Sequence, residues 1–198
     1  MDRIGFGAGI YLDSASAFAI GSNKVLTAAH MVNSVGQTVR LVMRGDDQTT
    51  EKTVSGTVKG INQNLDAAWI ECPAGSFDVY WELGDESKLK NGDRMVAYGH
   101  PSGGKPYQEK TTGVFKEFGS GREGLRFGMT DSTTRLLYPG NSGGAIACGQ
   151  VGSSEYGKIV SLTSGGQGRP SIGQTISNWQ SDRCWGPKIS QVKSAFNL

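Results

Sequence analysis

Cysteine is scarce in this chain of 198 residues, which contains only Cys72, Cys148 and Cys184. The three are widely spaced and include no Cys-x-x-Cys pair, which argues against a zinc site. An odd number of distant cysteines favours thiols in a reducing compartment over a disulfide framework. A single Cys148–Cys184 disulfide stays open.

An excess of charge of one sign is also missing. The chain has 20 Lys and Arg against 18 Asp and Glu, a formal net charge of +2. This balance gives no reason to expect a nucleic-acid partner or an anionic membrane. Basic residues between 100 and 126 alternate with Glu109, Glu117 and Glu123, which favours a solvated hairpin over an RNA-binding strip.

Long hydrophobic runs are absent as well. No run approaches the length of a membrane-spanning helix. The first residues, Met1-Asp2-Arg3, are not followed by the apolar region of a secretory signal peptide. We therefore expect an intracellular protein, in the cytoplasm of its source or of an infected host cell, with no membrane segment. Secretion stays open because processing could have removed a targeting segment.

Proline is scarce at 6 residues, whereas glycine is abundant at 30. Short β-rich runs punctuated by glycine predict an all-β sandwich or barrel. Apolar Ile189, Val192 and Phe196 recur at helical spacing and predict a C-terminal helix. Strands are predicted at 4–12, 16–20, 25–27, 39–43, 53–61, 67–72, 94–98, 111–118, 125–130, 145–148, 158–163 and 173–176.

The most informative stretch present is the loop Gly140-Asn141-Ser142-Gly143-Gly144, directly before an apolar run. Glycine adopts backbone angles that other residues avoid. This freedom would let the N–H groups of Gly140 and Ser142 turn toward one point beside the Ser142 hydroxyl, as an oxyanion hole requires. Alone, the loop is more typical of an ordinary hairpin than of a nucleophile.

Two further motifs change that balance. Thr27-Ala28-Ala29-His30 follows an apolar strand, and His30 is one of only two histidines. A neutral imidazole is the usual general base for a serine. Leu65-Asp66-Ala67-Ala68 places an aspartate at a strand start, where it can orient a histidine. Alone, His30 is typical of a structural histidine and Asp66 of an aspartate at a strand start. Together with Ser142, the two residues indicate nucleophilic catalysis.

The set resembles the trypsin/chymotrypsin-like serine proteases, whose catalytic residues follow the order His, Asp, Ser. Thr-Ala-Ala-His at 27–30 matches their histidine motif, and 139–145 is close to the nucleophile loop of HtrA-like members. The resemblance covers residues 5–195. It implies an all-β fold of two six-stranded antiparallel β-barrels, chymotrypsin-like, with a short C-terminal helix. The expected units are 1–80 with His30 and Asp66, 81–186 with Ser142, and 187–198 for the helix.

The resemblance also implies roles for individual residues. His30, Asp66 and Ser142 would form the catalytic triad, and Gly140, Asn141 and Ser142 the oxyanion hole. Trypsin has an aspartate where this chain has Asn141, so no trypsinogen-style activation is expected. The family chemistry requires no metal and no cofactor.

The substrate pocket is inferred from the same resemblance. Leu136 and Leu137 would form one wall, and Thr163-Ser164-Gly165-Gly166 the other. Ser161 would lie beside Asp66 and donate a hydrogen bond to it, and backbone 161–163, including Leu162, would pair with substrate as an added strand. No acidic group or pocket histidine is visible, so we expect a small or medium apolar residue before the scissile bond.

The function predicted from the sequence is a serine endopeptidase, bacterial or viral, which acts on a polypeptide and could process a polyprotein. We expect it to be a monomer. Two alternatives stay open: a catalytically silent binding module on the same fold, and a serine esterase or acyltransferase using the same triad.

Overall fold

The structure is a computed structural model that describes residues 10–12, 15–44, 51–100, 109–115, 126–130, 140–167 and 183–198. Its described strands are β1 (Ile10–Leu12), β2 (Ala15–Ala19), β3 (Lys24–Thr27), β4 (Thr38–Arg44), β5 (Glu51–Asn62), β6 (Ala67–Glu71), β7 (Arg94–Gly99), β8 (Glu109–Phe115), β9 (Arg126–Thr130), β10 (Ala145–Cys148), β11 (Ile159–Leu162), β12 (Gly165–Gln167) and β13 (Arg183–Pro187). One α-helix, α1 (Ile189–Phe196), follows. The strand predicted at 173–176 lies outside the described residues.

Strands β1 to β6 form a closed antiparallel barrel in the order β1-β2-β3-β6-β5-β4. Its interior is filled by apolar side chains that are fully buried, among them Val25, Leu41, Met43, Val58 and Ile70. Burial of such side chains contributes roughly 1.5–3 kcal/mol each. The predicted first barrel of six strands is therefore confirmed.

Strand β2 is buried on both faces, and its sequence explains why. Alternate residues of a strand point to opposite faces. Ala15, Ala17 and Ala19 belong to the core of the first barrel, whereas Phe18 packs in a second cluster with residues of the other barrel. Ser16 has the same parity as Phe18 and is only 1% exposed. This strand therefore presents a polar hydroxyl to the junction between the barrels.

The second sheet has the antiparallel strand order β11-β10-β7-β8-β9-β13-β12. Its two end strands, β11 and β12, are consecutive in the chain and are separated only by Thr163 and Ser164. The sheet thus closes through one bent stretch that pairs first with β10 and then with β13. Counted this way, the second barrel has the six strands that were predicted.

The C-terminal helix is confirmed, and it is held by the connection between the barrels. Ile189 and Val192 are fully buried in the inter-barrel cluster. The N-cap residue Lys188 supplies no side-chain hydrogen bond. Instead the carboxylate of Glu86 accepts a hydrogen bond from the Ser190 N–H at 3.1 Å and another from its hydroxyl. A carboxylate at this end also suits the helix dipole. No helix among the described ranges is long and apolar enough to cross a membrane.

All three cysteines are buried, and none takes part in a disulfide. Cys148 and Cys184 both lie in the core of the second barrel, and the disulfide that the sequence left open is not formed. Burial raises the pKa of the Cys72 thiol to about 11, and the nearby charge of Glu71 adds to the rise. Cys72 is therefore an unreactive thiol at neutral pH.

Candidate active site

His30 and Asp66 are brought together by the pairing of β3 with β6. His30 lies in a 3₁₀ turn, Ala29–Met31, two residues after β3. Asp66 directly precedes β6, and Ala68, two residues later, pairs with Thr27 at the end of β3. Asp66 adopts a left-handed conformation with φ 50°. A non-glycine residue seldom does so, and such conformations concentrate at functional sites.

The Asp66 carboxylate contacts His30 in three ways. The His30 ring atom Nδ1 lies 2.9 Å from Asp66 Oδ1 and 2.8 Å from Oδ2. The His30 backbone N–H also donates to Oδ1 at 3.0 Å. These contacts favour the tautomer with the proton on Nδ1, which leaves Nε2 as an acceptor. The His30 side chain is 43% exposed, and that of Asp66 is 21% exposed.

The pair shifts the pKa of both members. The hydrogen bond with Asp66 raises the pKa of His30 above its ordinary value, against the opposing effect of partial burial, and the Asp66 charge adds to the rise. Burial by itself raises the pKa of Asp66. Hydrogen bonds from the His30 ring, the Ser164 hydroxyl and the His30 N–H outweigh burial and hold the pKa of Asp66 below its ordinary value.

Ser142 lies in a tight turn in which Gly144 N–H donates to the Asn141 carbonyl at 3.0 Å. Gly143 takes φ 83° in this turn. A Cβ on Gly143 would lie 2.2 Å from the Ser16 carbonyl oxygen and 2.3 Å from Thr27 Oγ1. Only glycine fits here, and the fit packs the turn against the end of β3, just before His30.

The predicted oxyanion residues Gly140 and Asn141 precede Ser142 in the same turn region. Gly140 has φ 97°, a conformation that favours glycine. Asn141 is 5% exposed, and among the described residues no donor reaches its Oδ1. The Gly140 carbonyl accepts a hydrogen bond from the Ser16 hydroxyl at 2.7 Å. The turn is thus built from glycines and backbone hydrogen bonds, with one serine supplied by the first barrel.

The expected contact between Ser161 and Asp66 is wrong. Ser161 is fully buried, and its hydroxyl donates to the Pro187 carbonyl at 2.8 Å. The hydroxyl of Ser164 donates to Asp66 Oδ2 instead. Ser164 lies three residues after Ser161, in the two-residue link between β11 and β12. The Ser164-Gly165-Gly166 triplet, a serine followed by two glycines, was the signal in the sequence that could have identified this position.

Backbone 161–163, predicted to pair with a substrate, is already paired along one side. Leu162 pairs with Ala145 of β10. Thr163 donates its N–H to the Gly144 carbonyl at 2.8 Å and accepts from the Gly143 N–H at 2.7 Å. Both polar backbone groups of Thr163 thus hold the serine turn, and substrate pairing by Ser161 and Leu162 stays a prediction.

The remaining predicted pocket residues divide into two groups. Leu136 and Leu137 lie outside the described residues. Gly165 lies in β12, paired with Trp185 of β13. A Cβ on Gly165 would lie 3.1 Å from the Trp185 indole nitrogen. The sequence pattern predicted neither a role for Trp185 nor its strand, because the neighbouring Gly186 and Pro187 are poor strand formers.

In the part of the chain that the structure describes, no group of three or more His, Cys, Asp or Glu side chains is arranged to hold a metal ion.

Solved structures of similar fold include HtrA-type proteases. A serine-to-alanine variant of the HtrA-type protease AlgW with a tripeptide superimposes with a TM-score of 0.67 at 16% identity, over 96% of this chain and 58% of that one. Rv3671c from M. tuberculosis H37Rv, in the inactive form of a serine-to-alanine mutant, gives a TM-score of 0.65 at 15% identity, over 96% of this chain and 85% of that one. The chain thus spans less than two thirds of the AlgW chain. At such identities the likeness establishes the chymotrypsin-like fold.

The family is established by sequence. No curated protein matches the chain significantly. The family model described as "Trypsin-like peptidase domain" matches residues 15–152, which is well over half of the chain and includes His30, Asp66 and Ser142. The chain therefore belongs to the trypsin-like peptidase domain family, the serine proteases of chymotrypsin-like fold.

Proposed function

We propose that this protein is an active serine endopeptidase in which His30, Asp66 and Ser142 act as the catalytic triad. The observation that carries the proposal is that the Asp66 carboxylate contacts both the ring and the backbone N–H of His30. The turn that contains Ser142 packs against the end of β3, just before His30. A structural histidine would need no such orientation. The arrangement leaves Nε2 available to take a proton from a hydroxyl.

Ser142 attacks the carbonyl carbon of a peptide bond as His30 Nε2 accepts the proton of its hydroxyl. Asp66 stabilises the imidazolium that forms and does not itself become protonated. The tetrahedral intermediate collapses to an acyl-enzyme as His30 returns the proton to the leaving amine. Water then attacks the ester, His30 takes its proton, and Ser142 is released with its proton restored.

The N–H groups of Gly140 and Ser142 would stabilise the oxyanion. The carbonyl that shares a peptide plane with the Ser142 N–H is that of Asn141, and it accepts a hydrogen bond from the Gly144 N–H within the turn. Since N–H and C=O point in opposite directions across a peptide plane, this bond turns the Ser142 N–H away from Gly144, where we propose that it meets the oxyanion. Preorganised donors of this kind are often the largest single contribution to catalysis.

The proposed substrate is a polypeptide. Solved HtrA-type proteases of the same fold are bound to a tripeptide and a decapeptide. In this chain Ser164, whose hydroxyl contacts Asp66, directly precedes β12, Gly165–Gln167. We therefore assign substrate pairing to β12 as well as to the predicted stretch 161–163. An apolar residue before the scissile bond, polyprotein processing and an intracellular site of action complete the proposal.

The test is cleavage of a peptide library, read by mass spectrometry, with wild type, Ser142→Ala and Ser76→Ala. Ser76 lies past the far end of β6 from Asp66, and its hydroxyl donates to the Pro73 carbonyl at 2.6 Å. Loss of the nucleophile in such a triad lowers kcat by about 10⁶-fold, so Ser142→Ala should make no cuts. Wild type and Ser76→Ala should make the same cuts and should both be labelled at Ser142 by a fluorophosphonate.

Other outcomes identify the alternatives. Cuts that persist in Ser142→Ala would contradict the assignment of the nucleophile. Hydrolysis of esters without cleavage of any peptide would indicate an esterase. Absence of both cleavage and labelling would indicate a binding module. Cuts after Lys, Arg, Glu or Gln would overturn the apolar preference alone.

A further inference from the structure

Ser16 of β2 uses each of its polar groups at the junction between the barrels. Its N–H donates to the Ser142 carbonyl at 2.8 Å, and its carbonyl accepts from the Thr27 hydroxyl at 2.8 Å. Its hydroxyl donates to the Gly140 carbonyl at 2.7 Å and accepts from the His100 N–H at 2.7 Å. Ser16 is only 1% exposed, so little water competes for these hydrogen bonds.

Two of the three carbonyls that define the serine turn are therefore held by one residue. The Gly140 and Ser142 carbonyls both bond to Ser16, and only the Asn141 carbonyl bonds within the turn, to the Gly144 N–H. A peptide plane turns as a unit, so the bond to the Gly140 carbonyl fixes the Gly140–Asn141 plane. That plane lies between the two peptide planes that carry the proposed donors, the N–H groups of Gly140 and Ser142. The Gly140 carbonyl is the one that depends on a side chain, since the Ser142 carbonyl bonds to backbone.

Gly140 itself does little to hold that plane. Glycine has the widest choice of backbone conformations, and its φ of 97° is one of many open to it. The side chain of Asn141 carries no charge, and no described donor reaches its buried Oδ1. Among the described residues, the Ser16 hydroxyl is therefore the side-chain contact that restricts the rotation of the Gly140–Asn141 peptide.

We propose that Ser16 is a positioning residue for the oxyanion turn, through which the first barrel sets the orientation of the Gly140–Asn141 peptide in the second. The inference rests on the proposed endopeptidase function and adds a residue that is 124 positions from Gly140 in sequence. Ser16 does not touch the reacting atoms. Its hydroxyl links the His100 N–H to the Gly140 carbonyl, and its loss leaves both groups without that partner.

The test compares Ser16→Ala with wild type and with Ser76→Ala, which also loses one short hydroxyl-to-carbonyl hydrogen bond in a buried position away from the turn. Kinetics on the best library peptide should show kcat lowered about 10- to 100-fold in Ser16→Ala, below the cost of deleting an oxyanion donor. KM should change by no more than about 2-fold, because the contact acts on the transition state. Ser76→Ala should match wild type in kcat.

Hydrogen–deuterium exchange provides a readout that does not need activity. Peptides covering 140–144 should exchange faster in Ser16→Ala and at the wild-type rate in Ser76→Ala. Equal kcat and equal exchange in Ser16→Ala and wild type would overturn the inference, and so would a rise in KM without loss of kcat. An inactive wild type would overturn the proposed function, while the exchange comparison would still decide whether Ser16 positions the turn. If Ser16→Ala unfolds under assay conditions, Thr27→Val replaces it, because this variant loses the hydrogen bond to the Ser16 carbonyl. Hydrogen–deuterium exchange at 140–144 should then be faster in Thr27→Val than in wild type. An unchanged exchange rate would count against the inference.

Discussion

In the first barrel, His30 and Asp66 are joined through ionisable side chains that lie partly in solvent. In the second barrel, the turn that carries Ser142 is held by backbone hydrogen bonds and by the absence of a side chain at Gly143. The first arrangement depends on charge and therefore on pH. The second depends on shape and tolerates no added atom. The two halves of one site should therefore fail in different ways.

The largest effect should come from removing the charge on the first half. Asp66→Asn keeps the size of the side chain but favours the wrong tautomer of His30, and in proteases of this fold the change lowers kcat by about 10⁴-fold. Because Asp66 raises the pKa of His30, the variant should also shift the acidic limb of its pH–rate profile to lower pH. NMR titration of the His30 ring measures that pKa directly, and an unchanged value would contradict the structure.

The second half should fail by steric conflict. Gly143→Ala adds a Cβ 2.2 Å from the Ser16 carbonyl oxygen at a positive φ. Strain and overpacking together should lower the free energy of unfolding by about 3 kcal/mol or more. Gly152 is the matched control, because it has φ +86° with nothing within 4 Å of an added Cβ. Gly152→Ala should lower the free energy of unfolding by only about 1 kcal/mol. Urea unfolding of both variants makes the comparison, and equal losses would show that the contact with Ser16 is not tight.

The smallest effect should come from Ser164, which touches both halves. Its hydroxyl donates to Asp66, and it follows Thr163, whose backbone holds the serine turn. Ser164→Ala should lower the free energy of unfolding by about 1 kcal/mol at neutral pH, the usual contribution of one hydrogen bond.

The pH dependence of that loss identifies its origin. The folded pKa of Asp66 is lowered, so its contribution to stability is present above the unfolded pKa and is lost as pH falls through the folded value. The raised pKa of His30 gives the opposite case, a contribution present in acid and lost as pH rises through the folded value. The stability difference between Ser164→Ala and wild type should therefore be largest above about pH 4, where aspartate ionises in the unfolded chain. Thermal melts across pH measure it, and a difference that grows in acid would contradict the assignment.

Much of the fold and of the candidate site could be predicted from local patterns. Strand β10 was predicted at its observed bounds, Ala145–Cys148, because four small or apolar residues follow a glycine turn. The helix was predicted from Ile189 and Val192, whose spacing matches the face that is buried. Strand β13 was missed, since Gly186 and Pro187 weaken any strand pattern. Gly186 is required there by a close approach, because its Cβ would lie 1.7 Å from the Leu162 carbonyl oxygen.

The candidate residues His30, Asp66 and Ser142 were readable in the sequence because each lies in a short motif whose chemistry is local. The positions of Ser161, Ser164 and Ser16 were not readable in this way. Ser164 meets Asp66 across 98 residues, and Ser16 meets Gly140 across 124. Such contacts depend on strand register and on the bend between β11 and β12, where a shift of one residue turns a side chain to the other face. Packing of the two barrels sets that register, and local sequence does not encode it.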